Sequence, residues 1–101
     1  MYEDGVGVAQ NALEAAAWYR KAAGQGDADA QNRLGGMYEV GRGVKQDLLI
    51  SYALFYLAAR DGFDTAVKGR ERVSELLSKG QQKEAQALSR SWQAGEPLPI
   101  P

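Results

Sequence analysis

Apolar residues recur along this chain at helical spacing, and the pattern predicts five helices. Ala30, Leu34 and Tyr38 are four residues apart, so they share one face of a helix. A second stretch, Leu48–Ala59, is hydrophobic at every position except Ser51. The pattern therefore predicts an all-α fold, with helices at 12–25, 28–40, 48–61, 65–77 and 79–94.

Glycines and capping residues separate these helices. Gly41 and Gly43 break a helix because each gives the backbone freedom at little steric cost. Asp47 follows them and can accept from the free amides of the next helix. Two helices joined in this way form an antiparallel hairpin. The glycines of residues 4–10 predict a similar turn upstream, with Asn11 capping the first helix.

Other helix ends carry comparable signals. Gly26 suits the left-handed position that ends a helix, and Asp27 is placed to cap the next one. Asp64 is predicted to cap the fourth helix. Ser78 and Gln81 have the spacing of a capping box, so the last helix should begin at Lys79.

The predicted core comes mainly from the apolar face of each helix. The Leu48–Ala59 helix is apolar all round, so it must be covered on several sides. Neighbouring helices are the expected cover, and the alternative is that Ile50, Leu54 or Leu57 contacts a partner. The inward positions predicted in the other helices are Ala15, Tyr19, Ala22 and Ala23 with bulk from Trp18, then Ala66, Val73, Leu76 and Leu77, then Ala85, Leu88 and Trp92.

The chain repeats itself with a period of 37 − 1 = 36 residues. Met1–Val8 returns as Met37–Val44, and residues 1–26 share 12 identities of 26 with residues 37–62. A fixed period of this size is typical of helical repeat arrays.

These repeated residues resemble the Sel-one-like repeat, a relative of the tetratricopeptide repeat. The resemblance covers about residues 1–62 and rests on Leu34-Gly35, Tyr38, Gly41, Gly43, Val44 and Asp47, and on Trp18–Ala23 with Gly26. There are departures. Asn11 replaces the usual Asp, and Leu54, Phe55 and Leu57 replace Trp, Tyr and Lys.

The resemblance implies a right-handed α/α solenoid of antiparallel helix hairpins, with about two repeats and a C-terminal cap. Residues from Ser78 onward are similar to the terminal cap of such arrays. We expect a partial repeat at 1–26, a full repeat at 27–62, a capping hairpin at 63–94 and a proline-rich tail at 95–101 that is a linker or a frayed end. Residues 1–3 resemble the end of a preceding helix, so we expect a fragment of a longer bacterial repeat protein.

Composition excludes several function classes. Twelve Lys and Arg oppose 13 Asp and Glu, so a net charge of −1 provides no general attraction for nucleic acid or anionic membrane. No run approaches the roughly 20 apolar residues that span a bilayer. Histidine and cysteine are absent, which removes the commonest general base and the usual zinc ligands. We therefore predict no catalytic residue, cofactor or metal site.

The resemblance implies a non-enzymatic protein-interaction scaffold or adaptor that binds a protein or peptide in a groove. It also points toward the bacterial periplasm or secretion. The alternative class is a cell-envelope enzyme or glycan-binding accessory acting on peptidoglycan or β-lactam-like ligands, but no Ser-x-x-Lys motif is present to support it. A third interpretation is that the chain is the end cap of a longer array whose binding repeats lie upstream of Met1. Separately, an exposed repeat end would allow a homo-oligomer.

The related tetratricopeptide architecture implies which residues face the groove. Gly36 would leave space for a ligand side chain, and Lys68 with Arg72 would hold a carboxylate. In the alternative, these two cations only balance Glu71 and Glu75 in solvent. The implied groove positions are Asp29, Asn32, Gly36 and Glu39, and 36 residues later Thr65, Lys68, Arg72 and Glu75.

Overall fold

A computed structural model describes residues 5–90 and 92–98 of the chain, and within these ranges it contains five α-helices and no strand. The all-α prediction is confirmed. The helices are α1 (Gly5–Gly24), α2 (Ala28–Val40), α3 (Leu48–Arg60), α4 (Asp64–Ser74) and α5 (Lys79–Arg90).

Helices that follow one another pack against one another. α1 packs on α2, α2 on α3 and α3 on α4, while α5 lies against α3 and α2 also touches α4. The result is a helical solenoid of about two repeats with a closing helix, as the sequence predicted. α3 lies at the centre and contacts three other helices.

Local capping signals fix the start of three helices where the sequence placed them. The Oδ1 atoms of Asp27 and Asp47 accept from amides three residues downstream at 3.0 and 3.1 Å. In the capping box, the Gln81 amide donates to the Ser78 hydroxyl at 3.1 Å, and the Ser78 amide donates to the Gln81 side chain at 2.9 Å. These bonds satisfy amides that have no partner inside the helix.

The turn between α2 and α3 requires its two glycines. Gly41 and Gly43 have φ values of 76° and 75°, a region that other residues adopt only with strain. Gly43 also lies directly against the carbonyl of Ala12, which leaves no room for a side chain. The turn is closed by bonds from Gly41 N–H to the Met37 carbonyl at 2.7 Å and from Asp47 N–H to the Tyr38 carbonyl at 3.0 Å.

The predicted upstream turn is wrong over residues 5–10, which belong to α1, and Asn11 lies inside that helix rather than capping it. The α2–α3 turn depends on the Met37 and Tyr38 carbonyls and on contact with α1. Met1 and Tyr2, which correspond to those two residues, lie outside the described part of the chain. The carbonyls of residues 5–10 accept hydrogen bonds within α1 instead.

The ends of α4 and α5 also differ from prediction. α4 begins at Asp64, which lies in the first turn and does not cap it. It ends at Ser74 rather than at residue 77. At this end, Gln82 Nε2 donates to the Ser74 carbonyl at 2.9 Å. α5 ends at Arg90 rather than residue 94.

The hydrophobic core forms two clusters on either side of α3. Ile50 and Leu54 join residues of α1 and α2, while Tyr52 and Phe55 join residues of α4 and α5. Leu34, Tyr38 and Phe55 are buried as predicted. Because Ile50, Leu54 and Leu57 are buried too, the proposed partner contact through them is wrong.

Three large side chains predicted to face inward are exposed. They are Trp18, Leu76 and Leu88, at 70%, 63% and 44% of their full accessible surface. Smaller residues take the inward positions instead, because they let neighbouring helices approach closely. These are Ala12 and Ala16 on α1, Gly69 on α4 and Ser89 on α5.

Residues 92–98 fold back over the end of α1. Trp92 is buried, and its Nε1 donates to the Pro97 carbonyl at 2.9 Å. The Gly95 amide donates to the Gly24 carbonyl at 2.8 Å, and Leu98 packs at the edge of the α1–α2 cluster. As far as Leu98, the tail is therefore docked rather than a free linker or frayed end. Residues 99–101 lie outside the described ranges.

Candidate functional site

The predicted groove residues lie on two helices that touch, α2 and α4. We name this surface the α2–α4 face. On α2, Asp29 is exposed, and Asn32, Gly36 and Glu39 are half-buried. The second row, all exposed, consists of Thr65, Lys68 and Arg72 on α4 and of Glu75 directly after its end.

A bidentate ion pair joins the two helices. Arg72 Nε donates to Glu39 Oε2 at 2.6 Å, and Arg72 Nη2 donates to Glu39 Oε1 at 2.7 Å. Two parallel bonds between a guanidinium and a carboxylate are stronger and more directional than a single contact. The hydrogen bond to Glu39 raises the pKa of Arg72 above its ordinary value.

This pair changes the prediction for Arg72. We expected Arg72 and Lys68 to hold a carboxylate of a ligand together, or to balance Glu71 and Glu75 in solvent. The structure gives the guanidinium to Glu39, a residue 33 positions away. Lys68 is also exposed and takes no part in this ion pair.

A second ion pair lies on α2 alone. Arg33 Nε is 3.2 Å from Asp29 Oδ1, four residues earlier, and both side chains are more than half exposed. The hydrogen bond from Arg33 to Asp29 raises the pKa of the guanidinium. Asp29 is therefore partly neutralised on the α2–α4 face.

Gly36 borders open space. A Cβ atom placed on it would meet no other atom within 4 Å. It helps to line an open cavity of about 580 Å³ between α1 and α2. We name this the α1–α2 cavity, and it is lined by Asn11, Ala12, Ala15, Tyr19, Arg33, Gly36, Met37, Val40 and Arg42.

The sequence did not predict most of the residues that line this cavity. Arg33 and Val40 stand three residues before and four residues after Gly36, so helical spacing alone would have placed them beside it. Ala15 and Tyr19 belong to α1, and their presence depends on how α1 packs against α2. No local signal could have supplied them.

The candidate site contains two ion pairs, the exposed Lys68 and the α1–α2 cavity. Across residues 5–90 and 92–98, no group of three or more acidic side chains is arranged to hold a metal ion. In the same part of the chain, no helix combines the length and hydrophobicity that a membrane crossing needs.

Antiparallel helix pairs related by a 36-residue period define an α-solenoid repeat protein. The family model of the Sel1 repeat matches residues 1–27 and 28–63, which is more than half of the chain. The chain belongs to the Sel1 repeat family, as its resemblance implied. Sel1 repeats generally mediate protein–protein interactions and are typically not catalytic. Comparison with curated proteins and with solved structures gave no match.

Proposed function

We propose that this chain is a non-enzymatic interaction module that binds a segment of another protein along the α2–α4 face and the adjoining α1–α2 cavity. The observation that carries the proposal is the open space at Gly36, which joins the two surfaces. Membership of a family of interaction repeats supports the same role.

The cavity would hold an apolar anchor of the partner. Tyr19, Met37 and Val40 supply apolar surface around Gly36. Binding energy in protein interfaces is concentrated in a few anchors that fill such hollows. An apolar side chain entering beside Gly36 would cover this surface and displace water from it.

Charges at the cavity and on the α2–α4 face favour an acidic partner segment. Arg42 stands at the rim of the cavity, and Lys68 is exposed on α4. Arg72 has a different role, because its bonds to Glu39 keep α2 and α4 in register. We therefore assign ligand attraction to Lys68 and Arg42, and positioning to Arg72.

A displayed library of random peptides tests the proposal without a known partner. We expect the chain to select peptides with a large apolar residue flanked by Asp or Glu. Gly36→Trp should abolish their binding by filling the cavity, and Lys68→Glu should weaken it by about tenfold, equivalent to 1.4 kcal/mol. The melting temperature should hardly change, because both positions face open space or solvent.

Glu84→Lys on α5 is the matched control, since it changes an exposed charge away from the site. It should leave peptide binding intact. Selected peptides that bind Gly36→Trp and Lys68→Glu as well as the unchanged chain would place the interaction elsewhere. Arg72→Glu is unsuitable as a binding test because it would set a second carboxylate against Glu39.

A further inference from the structure

The internal repeat shows that one face of α1 differs from its counterpart on α3. The 36-residue offset relates α1 to α3 position by position. Four α3 positions, Ile50, Ala53, Leu54 and Leu57, are buried. Their α1 counterparts, Glu14, Ala17, Trp18 and Lys21, are all exposed.

We name these four α1 residues the α1 end face. They line a shallow depression of about 320 Å³. Trp18 is its largest member and exposes 70% of its surface. The Lys21 ammonium lies 5.8 Å from the centre of the Trp18 ring, within cation–π range. Aromatic side chains, Trp among them, are enriched in protein–protein interfaces relative to the rest of the surface.

Charge restricts what can cover this face. On α3, apolar Ile50 and Leu57 are covered by other parts of the fold. Glu14 and Lys21 replace them on α1, so an apolar cover would bury two charges without partners, at considerable cost. A suitable cover presents a cation to Glu14, a carboxylate to Lys21 and a small residue to Trp18.

The same helix on a second copy of the chain meets all three requirements when it runs antiparallel. The residue numbers of Glu14 and Lys21 add up to 14 + 21 = 35, and those of Ala17 and Trp18 to 17 + 18 = 35. These two pairs of positions therefore have the same midpoint along α1. A two-fold axis through that midpoint sets Glu14 opposite the partner's Lys21, and Trp18 opposite the partner's Ala17. A two-fold interface repeats each contact, so one ion pair lies on each side of the two indole rings.

We propose that two copies of this chain associate through the α1 end face, with their α1 helices antiparallel. α1 has 20 residues, which at 1.5 Å per residue gives a length of about 30 Å. The surface that one helix pair buries is at the small end of the range for specific interfaces, about 1,200 Å². The association should therefore depend on concentration.

Sedimentation velocity of the 101-residue chain, from micromolar to millimolar concentration, tests the proposal. We expect a monomer–dimer equilibrium whose dissociation constant rises at least about tenfold in Trp18→Ala. Leu88→Ala, which trims an exposed apolar side chain on α5, is the control and should leave the equilibrium unchanged. A chain that stays monomeric throughout overturns the proposal and assigns the face to another occupant, such as a hairpin of the same repeat type.

Charge reversal tests the antiparallel geometry. Glu14→Lys sets lysine against lysine twice, and Lys21→Glu sets glutamate against glutamate twice. Each variant alone should be monomeric where the unchanged chain dimerises. An equimolar mixture of the two should form a heterodimer, and the double variant Glu14→Lys/Lys21→Glu should recover the homodimer.

The folded state should tolerate these changes, because both positions are exposed on a helix and Lys and Glu have similar helix propensities. Circular dichroism of each variant checks this. A dimer that survives both single reversals, or a mixture that gives no heterodimer, would overturn the antiparallel arrangement.

Discussion

The ring of Phe55 on α3 lies against Gly69 on α4, so closely that a Cβ atom on Gly69 would come within 2.7 Å of it. Gly35 on α2 approaches the same ring, and its Cβ would lie 3.0 Å away. One aromatic side chain therefore fills the space between two helices. The glycines let α2 and α4 approach α3 at this level.

Gly69→Ala should destabilise the fold although alanine is the better helix former. Propensity alone favours alanine by about 1 kcal/mol, but the methyl group would overlap the Phe55 ring. Overpacking of this kind costs about 1–3 kcal/mol, so we expect a lower urea midpoint. Gly36→Ala is the matched control, because its methyl group enters open space and should stabilise α2. If both substitutions raised the midpoint, the ring would have to move aside easily.

Sequence signals that are local predicted the structure well. α2 has the bounds that the sequence predicted for it, because Asp27 and the Gly41–Gly43 turn act within a few residues. α3 likewise begins directly after Asp47.

Features that depend on a distant helix were not predicted from the sequence. The role of Gly69 depends on the Phe55 ring, and the role of Arg72 depends on Glu39. Trp18 matched the family pattern and was expected in the core. Its burial requires a neighbour that its counterpart Leu54 has and that the described part of this chain does not supply for α1.

Leu34→Ala should cost about 2–5 kcal/mol of unfolding free energy, because Leu34 is fully buried between α1, α2 and α3 and its loss leaves a cavity. A domain of this size has about 5–15 kcal/mol in total. Urea unfolding followed by circular dichroism measures the loss. Leu76→Ala, which trims a mostly exposed leucine, should change stability by less than about 0.5 kcal/mol. Equal losses in the two variants would contradict this core assignment.

Arg60→Lys should release the segment that follows α5. Arg60 Nη1 donates to the carbonyls of Ser89 at 3.2 Å and Trp92 at 3.0 Å, so one guanidinium joins the end of α5 to the returning chain. The lysine nitrogen lies one bond closer to the backbone than Nη1 and is more strongly hydrated, so we expect a loss of about 1 kcal/mol. Hydrogen exchange should accelerate in residues 92–98 while α2 stays protected. Arg90→Lys is the control, and equal acceleration there would mean that any lost arginine loosens the tail.

The ion pair between Glu39 and Arg72 should make a modest contribution to stability, and that contribution acts between two helices. The Arg72 side chain is 59% exposed, so solvent screening limits the coupling to about 0.3–1 kcal/mol. A double-mutant cycle with Glu39→Ala and Arg72→Ala measures it, and added salt should reduce it. Asp29 and Arg33 form the comparison pair, because both lie on α2 and their interaction cannot join two helices.

We expect the Glu39–Arg72 coupling to exceed that of the comparison pair, and the charge swap Glu39→Arg/Arg72→Glu to be more stable than either half of it alone. A coupling no larger than that of Asp29 and Arg33 would mean that packing around Phe55, not this pair, sets the spacing of α2 and α4.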